Sequence, residues 1–289
     1  INCNDGKDLN FLTNHKAIKH IIFTGSTETA YKILKARPDI PISAETGGKN
    51  SIIISPMADI DLAIKNVINS AFSNSGQKCS AASILILHKE LFENKDFINR
   101  LKDATESLIV GGAFDFKNNI SPLIKAPSGF LKDVIDASDN EDFWLVKPKK
   151  VNNNSCFLSP GIKWNIKKSS SIYKNELFGP VLGVIKANDF DDAIDIVNQE
   201  YGLTSGLESL DLREIEKWKK SVNAGNLYIN RGITGAIVQR QAFGGFLNSR
   251  SAYGYGIKAG GPNYLIQFMR ITEGKSQNFQ DINIPKDLE

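Results

Sequence analysis

Between residues 18 and 55 short apolar runs alternate with one helical stretch, and this order constrains the fold more than any other feature of the chain. Residues 18–23 are an apolar run that ends in Thr24-Gly25-Ser26-Thr27, which reads as a strand feeding a glycine turn. Residues 27–36 read as a helix stopped ahead of Pro38, because the residue before a proline is pushed out of the helical region. Residues 40–45 and 51–55 read as two further strands. Strand, helix and strand in this order open an α/β fold. The clearest helix follows over 59–74, where Ile60, Ile64, Val67, Ile68, Ala71 and Phe72 recur at helical spacing. Asp59 and Asp61 sit at its first turn, where the helix dipole favours anions. It gives way to Ser75-Gly76-Gln77, so Cys79 is expected in a loop, and 83–87 reads as a buried strand. Further helices are expected over 94–108, 130–137, 190–198 and 211–222, and strands over 181–185 and 226–229. Residues 111–125 read as irregular, 152–154 as a turn, and the chain after Phe243 as a Gly-rich loop region suited to lie against a ligand.

Composition narrows the partners. Lys and Arg outnumber Asp and Glu by 35 to 32, and the excess is spread along the chain. Neither nucleic acid nor an anionic membrane is expected from so small a surplus. No apolar run approaches the roughly 20 residues that span a bilayer, and no N-terminal stretch has the form of a signal peptide. Cys3, Cys79 and Cys156 are odd in number and far apart, which supports neither a disulfide framework nor a zinc site. A reducing, cytoplasmic setting is expected. His15, His20 and His88 are isolated and read as structural or surface residues. The chain opens on Ile1 rather than Met, so a piece of a longer polypeptide or a processed product is expected.

Two segments carry chemistry. Glu45 lies in Ser43-Ala44-Glu45-Thr46-Gly47-Gly48-Lys49-Asn50, and Cys79 in Gly76-Gln77-Lys78-Cys79-Ser80-Ala81. A lone cysteine is most often a small buried apolar residue. Here the loop after a helix argues for an exposed thiol beside backbone N–H groups, which would lower its pKa and hold an oxyanion. Glu45 alone would be a solvated carboxylate. Beside two glycines that let the backbone approach a substrate, it becomes a candidate base, and Cys79 a candidate nucleophile. Gly25-Ser26 joins a strand to a helix, a place where free N–H groups bind phosphate, although many such joints are ordinary turns. Glu176-Leu177-Phe178-Gly179-Pro180-Val181 is either a Gly-Pro turn before a strand or a further binding motif.

Taken together these segments resemble the signature motifs of the aldehyde dehydrogenase superfamily. The resemblance runs from about Leu9 to Phe268. Within the family it is most similar to the pyrroline-5-carboxylate (glutamate-γ-semialdehyde) dehydrogenase branch, as found in bifunctional proline-catabolic proteins, through Lys78-Cys79-Ser80-Ala81-Ala82-Ser83 and Lys258-Ala259-Gly260-Gly261-Pro262. It implies an α/β aldehyde dehydrogenase-like fold. Residues 1–47 would be the C-terminal part of an NAD-binding domain, 48–247 a catalytic domain, and 248–289 a substrate-anchor loop and tail. It implies Cys79 as nucleophile and Glu45 as the base that activates water. NAD would be held by Gly25 and Ser26 at its pyrophosphate, Glu176 at the nicotinamide ribose and Phe178 near the ring. Ser80, Ser251 and Ala252 would hold the substrate carboxylate, and Phe243 its aliphatic part. No metal is implied. A homo-oligomer, and fusion to a proline dehydrogenase domain, are implied for the full-length protein. The family's upstream half, with a Lys that reads the adenine ribose and an Asn of the oxyanion hole, is not in this sequence, so the chain by itself is expected to be poorly active or inactive. Another small acid semialdehyde as substrate, or a non-catalytic module that associates with a partner, are the alternatives. A CoA-acylating reaction is disfavoured by the presence of Glu45.

Overall fold

A computed structural model describes residues 6–138, 141–198, 201–237, 240–249 and 257–269. Two sheets organise it. The smaller is the parallel pair β1 (Ile21–Thr24) and β2 (Ile42–Glu45), joined by α2 (Thr27–Ala36) and preceded by α1 (Gly6–Asn14). The larger has seven strands in the order β10-β9-β3-β4-β7-β6-β5. These are β3 (Asn50–Ile54), β4 (Ala82–His88), β5 (Phe143–Val146), β6 (Gly161–Trp164), β7 (Val181–Ala187), β9 (Thr204–Glu208) and β10 (Asn226–Ile229). All neighbours in it are parallel except β5, which runs antiparallel along β6. A short antiparallel pair, β8 (Tyr201–Gly202) with β11 (Phe246–Leu247), brings the C-terminal segment back to the sheet.

The central strands are apolar runs because both of their faces are covered. Side chains alternate across the sheet, so one strand feeds two cores. Ile52, Ile54, Leu85, Leu87, Leu182 and Val184 pack on one side, with α3 (Ile60–Phe72) and, after the short α4 (Lys89–Phe92), α5 (Lys95–Glu106). Ile53, Ile84, Ile86, Val181 and Ile185 pack on the other. That side is covered by α6 (Gly129–Asp136), α8 (Phe190–Val197) and α9 (Leu212–Ser221); α7 (Ser171–Lys174) also contributes Ile172 and Tyr173. Burying a Leu or Ile stabilises by about 1.5–3 kcal/mol, and the two layers hold most of the buried apolar side chains among the described residues.

The strongly periodic elements stand where the sequence predicts them, within a few residues. The helix expected over 59–74 starts as read, with Asp59 accepting the Leu62 N–H at 3.1 Å. It stops earlier, at Phe72, because Asn74 and Ser75 both take left-handed backbone at φ 56° and turn the chain through a single 3-10 turn. Gly76 follows at φ +65°, and a Cβ there would run into the Gly179 carbonyl. Only glycine fits both the backbone angle and the space. Three strands of the large sheet, β5, β6 and β9, were not expected. Each is short. β6 carries a buried lysine, and β9 reads Thr-Ser-Gly-Leu-Glu, with all five residues buried.

Candidate active site

The two sheets meet at one place. β2 delivers Glu45 at its C-terminal end, and the segments entering β3, β4, β7 and β9 converge opposite it. The candidate residues therefore cluster at the N-terminal edge of the large sheet. Gly47 and Gly48 lead into β3, Cys79 and Ser80 form the turn before β4, and Glu176 to Pro180 precede β7.

A buried Asn50 fixes the cysteine turn. Its Nδ2 donates to the Cys79 carbonyl at 2.7 Å and to the Ala81 carbonyl at 2.9 Å, while its Oδ1 accepts the Thr204 N–H at 3.0 Å. Thr204 Oγ1 in turn donates to the Ser80 carbonyl at 3.5 Å. A Cβ on Gly48 would lie 2.7 Å from the Cys79 carbonyl oxygen. The second glycine of the pair thus permits the approach of the cysteine backbone, which is the close contact its sequence position suggests. Gln77 braces the other side, donating to the Phe178 carbonyl at 3.3 Å and accepting the Ile124 N–H at 3.1 Å.

Cys79 is half-buried, and its environment departs from the expectation. Burial raises its pKa, the Glu176 and Glu45 carboxylates raise it further, and the Ser80 and Cys79 backbone N–H groups only partly offset this. The net direction for the thiol is thus upward. The N–H groups are there as expected, but two anions and desolvation outweigh them.

Glu176 approaches from the far side. Its Oε1 accepts the Gly48 N–H at 3.2 Å, and a side chain on Gly47 would collide with its carboxylate. Burial raises the Glu176 pKa, against the Gly48 N–H and the charge of Lys49. Lys49 is 3% exposed and donates to Ser83 Oγ at 2.7 Å. Burial lowers its pKa to about 7, even against the opposing charge of Glu176. Phe178 lies two residues on, 43% exposed and with left-handed backbone at φ 49°. A bulky residue in that region costs roughly 1 kcal/mol or more, and such strain clusters at ligand sites.

Gly25 and Ser26 stand at the exposed join of β1 and α2. The Gly25 N–H donates to the Glu45 carbonyl at 3.2 Å, which ties this turn to the end of β2. Ser26 caps α2, its Oγ accepting the Thr29 N–H at 3.2 Å. Asn248 joins the same corner, its carbonyl accepting Thr27 Oγ1 at 2.9 Å and Thr46 Oγ1 at 2.7 Å. Phe243 is half-buried and pairs with Ala259 through backbone bonds of 3.0 and 2.9 Å, next to Gly244 and Glu45. Ser251 and Ala252 lie outside the described residues. The structure thus brings Glu45, Cys79, Ser80, Glu176 and Phe243 into one cluster, with Gly25 hydrogen-bonded to its edge. Asn50, Lys49 and Gln77 were not singled out from the sequence, although all three sit within two residues of a motif glycine. Among the described residues no group of three or more His, Cys, Asp or Glu is arranged to hold a metal, and no helix is long and apolar enough to cross a membrane.

Residues 4–273 match the sequence model described as aldehyde dehydrogenase family. The chain is similar to the 1-pyrroline-5-carboxylate dehydrogenases of Bacillus cytotoxicus, at 35% identity over 270 residues, and Bacillus subtilis, at 34% over 277. These alignments cover 90% and 92% of this chain but 51% and 53% of the relatives, so the chain spans about half their length. Among solved structures, proline utilization A (PutA) from Corynebacterium freiburgense superposes with a TM-score of 0.85 at 44% identity, covering 92% of this chain and 27% of that one. The 1-pyrroline-5-carboxylate dehydrogenase from Thermus with bound NAD gives 0.80 at 36%, covering 89% and 51%.

Proposed function

From the aldehyde dehydrogenase family, to which this chain belongs, we propose that its residues serve the oxidation of L-glutamate γ-semialdehyde, the open form of pyrroline-5-carboxylate, to L-glutamate. The observation that carries this reading is the half-buried thiol of Cys79, within the influence of two carboxylates and on a turn clamped by Asn50. Cys79 gives its proton to water, the thiolate adds to the aldehyde carbon, and the aldehyde oxygen takes up a proton to give a thiohemiacetal. NAD, when bound, supplies the hydride acceptor that turns the resulting thiohemiacetal into a thioester. Glu45 takes a proton from water as the water oxygen adds to the thioester carbon. The C–S bond breaks, Cys79 leaves as thiolate, and the acid is released.

The chain's residues suit such a cofactor. The N-terminus of α2 is exposed just after Gly25 and Ser26, where the helix dipole favours a pyrophosphate. Glu176 presents a carboxylate over a residue without a side chain, so hydroxyl groups of a ribose can reach it. Phe178 is exposed beside it for a ring. Ser80 and the segment with Ser251 and Ala252 would hold the substrate carboxylate, with Phe243 against its methylenes. The substrate follows the relatives, whose printed names specify 1-pyrroline-5-carboxylate. A reducing, cytoplasmic setting suits the free thiols of Cys79 and Cys156. A homo-oligomer, and fusion to a proline dehydrogenase domain in the full-length protein, belong to the same reading. So does impaired activity of the 289 residues by themselves.

The test compares NADH formation from pyrroline-5-carboxylate and from succinate semialdehyde, in the full-length protein and in the 289-residue chain. The reading expects a clear preference for pyrroline-5-carboxylate and turnover of about 1–100 per second in the former only. Equal rates on the two substrates would reject the substrate, and full activity of the short chain would reject the impairment.

A further inference from the structure

Glu45 has a second charged neighbour that the proposed reaction does not use. A Cβ on Gly244 would lie 3.0 Å from Glu45 Oε1 and 3.3 Å from Lys258 Cγ. The carboxylate and the lysine stem therefore come together over a residue that has no side chain to part them. Gly244 is fixed there. Its N–H donates to Asn226 Oδ1 at 3.2 Å, and Asn226 Nδ2 donates to the Ala242 carbonyl at 2.9 Å. The Phe243–Ala259 pair places Lys258 alongside. The Lys258 ammonium donates to the Gly225 carbonyl and lies 5.6 Å from the centre of the Phe246 ring. A carbonyl and a ring orient the cation without neutralising it, so its charge remains available to Glu45. Burial lowers the Lys258 pKa and the Glu45 carboxylate raises it again. That attraction is reciprocal: whatever Glu45 does for the ammonium, the ammonium does for the ionised carboxylate.

Cys79 lies on the turn before β4 and repels the carboxylate when ionised; Glu176, with Lys49 beside it, acts on the same thiol from the segment before β7. Lys258 is a cation that meets the carboxylate beside Gly244. We propose that Lys258 is the positioning residue of the base: its ammonium keeps Glu45 ionised and aimed for the proton of the water that hydrolyses the thioester. This rests on the reading of Glu45 as that base.

The experiment follows thioester hydrolysis alone, in the full-length protein. The acyl-enzyme is formed with pyrroline-5-carboxylate and NAD, and its decay is timed by quenching and intact mass across pH 5–9. In Lys258→Met the acidic limb of the decay rate is expected to move up by about one pH unit. The initial burst of NADH should change less than about threefold, and Lys258→Arg should keep the limb near its original place. Should Lys258→Met not fold, Gly244→Ala supplies the same test, since its methyl would wedge the carboxylate and the lysine apart and move the limb in the same direction. A limb that stays in place in the folded variant overturns the proposal, because a structural lysine would lower thermal stability and leave the limb unmoved. Glu45→Gln run alongside separates the two claims. If it leaves the decay unaffected, the base reading itself has failed, and the role of Lys258 falls with it.

Discussion

The two edges of the seven-stranded sheet use polar groups in opposite ways. At the C-terminal edge lies a cavity of about 360 Å³ lined by Ile53, Ser55, Met57, His88, Asp189 and Phe190, among others. Strand C-termini are the usual place for ligands in open α/β sheets. Yet the polar groups there are already committed to local structure. Asp189 caps α8 through the Asp192 N–H at 2.9 Å, His88 Nδ1 accepts the Glu90 N–H at 3.4 Å at the start of α4, and Glu214 accepts Ser209 Oγ at 2.5 Å. At the N-terminal edge the Glu176 and Glu45 carboxylates act on the Cys79 thiol, and a buried amide clamps the turn that carries it. Caps of local structure mark the first edge and chemistry-bearing groups the second.

That contrast can be broken by substitution. The largest effect is expected for Cys79→Ala, which should lower dehydrogenase turnover of the full-length protein by about 10⁴-fold or more, measured as steady-state NADH formation. Glu45→Gln comes next. It should preserve a first-turnover burst of NADH while lowering the steady state by about 10²–10⁴-fold, the usual worth of a general base. Stopped-flow absorbance separates the two phases, and loss of the burst as well would assign Glu45 to an earlier step.

Asn50→Ala tests the clamp rather than the chemistry. It strands two buried carbonyls and the Thr204 N–H, so a loss of about 2–3 kcal/mol in urea unfolding is expected. An unchanged midpoint would mean that water replaces the amide. At the opposite edge the decisive residue is Glu208, 1% exposed, with both oxygens on Asn66 Nδ2 at 3.0 and 3.2 Å. Burial raises its pKa from 4.5 to about 7. Between those values the folded state keeps a proton that the unfolded chain has released. The stabilisation is therefore complete below about pH 4.5 and is lost as pH rises through 7. Glu208→Gln should narrow the stability difference between pH 5 and pH 8 by about 1–3 kcal/mol, and an unaltered difference would show the carboxyl to be solvated. The smallest effect belongs to Met57→Ala on the rim of the cavity, where Met57 is 54% exposed. Both stability, within about 0.5 kcal/mol, and turnover should stay as they were. A large loss of turnover would give that edge a function after all.

How much was legible beforehand follows the range of each interaction. Glu45 and Cys79 could be singled out because their glycines stand beside them in the sequence, and β3, β4 and β7 because apolar runs announce strands buried on both faces. β9 could not. Its five residues are buried through Gly206, where a Cβ would lie 2.7 Å from the Ile233 side chain, a contact no local pattern encodes. β6 was hidden by Lys163, which is 2% exposed yet lies 5.0 Å from the Trp144 ring and 4.0 Å from Asp142. The clamp by Asn50 reaches Cys79 and Thr204 from far along the chain, so neither spacing nor composition could suggest it. The cysteine pKa went the wrong way for the same reason. Its N–H groups are local, while burial, and after it the carboxylate of Glu176, come from other segments of the chain.

The central claim is that Cys79 carries the substrate and Glu45 releases it. The most direct measurement is to incubate the full-length Glu45→Gln protein with pyrroline-5-carboxylate and NAD, quench in acid, and map the peptides by mass. A glutamyl thioester accumulating on the peptide that contains Cys79 is the result this account predicts. NADH formed with that peptide unmodified, or the adduct found on Cys156, would contradict it.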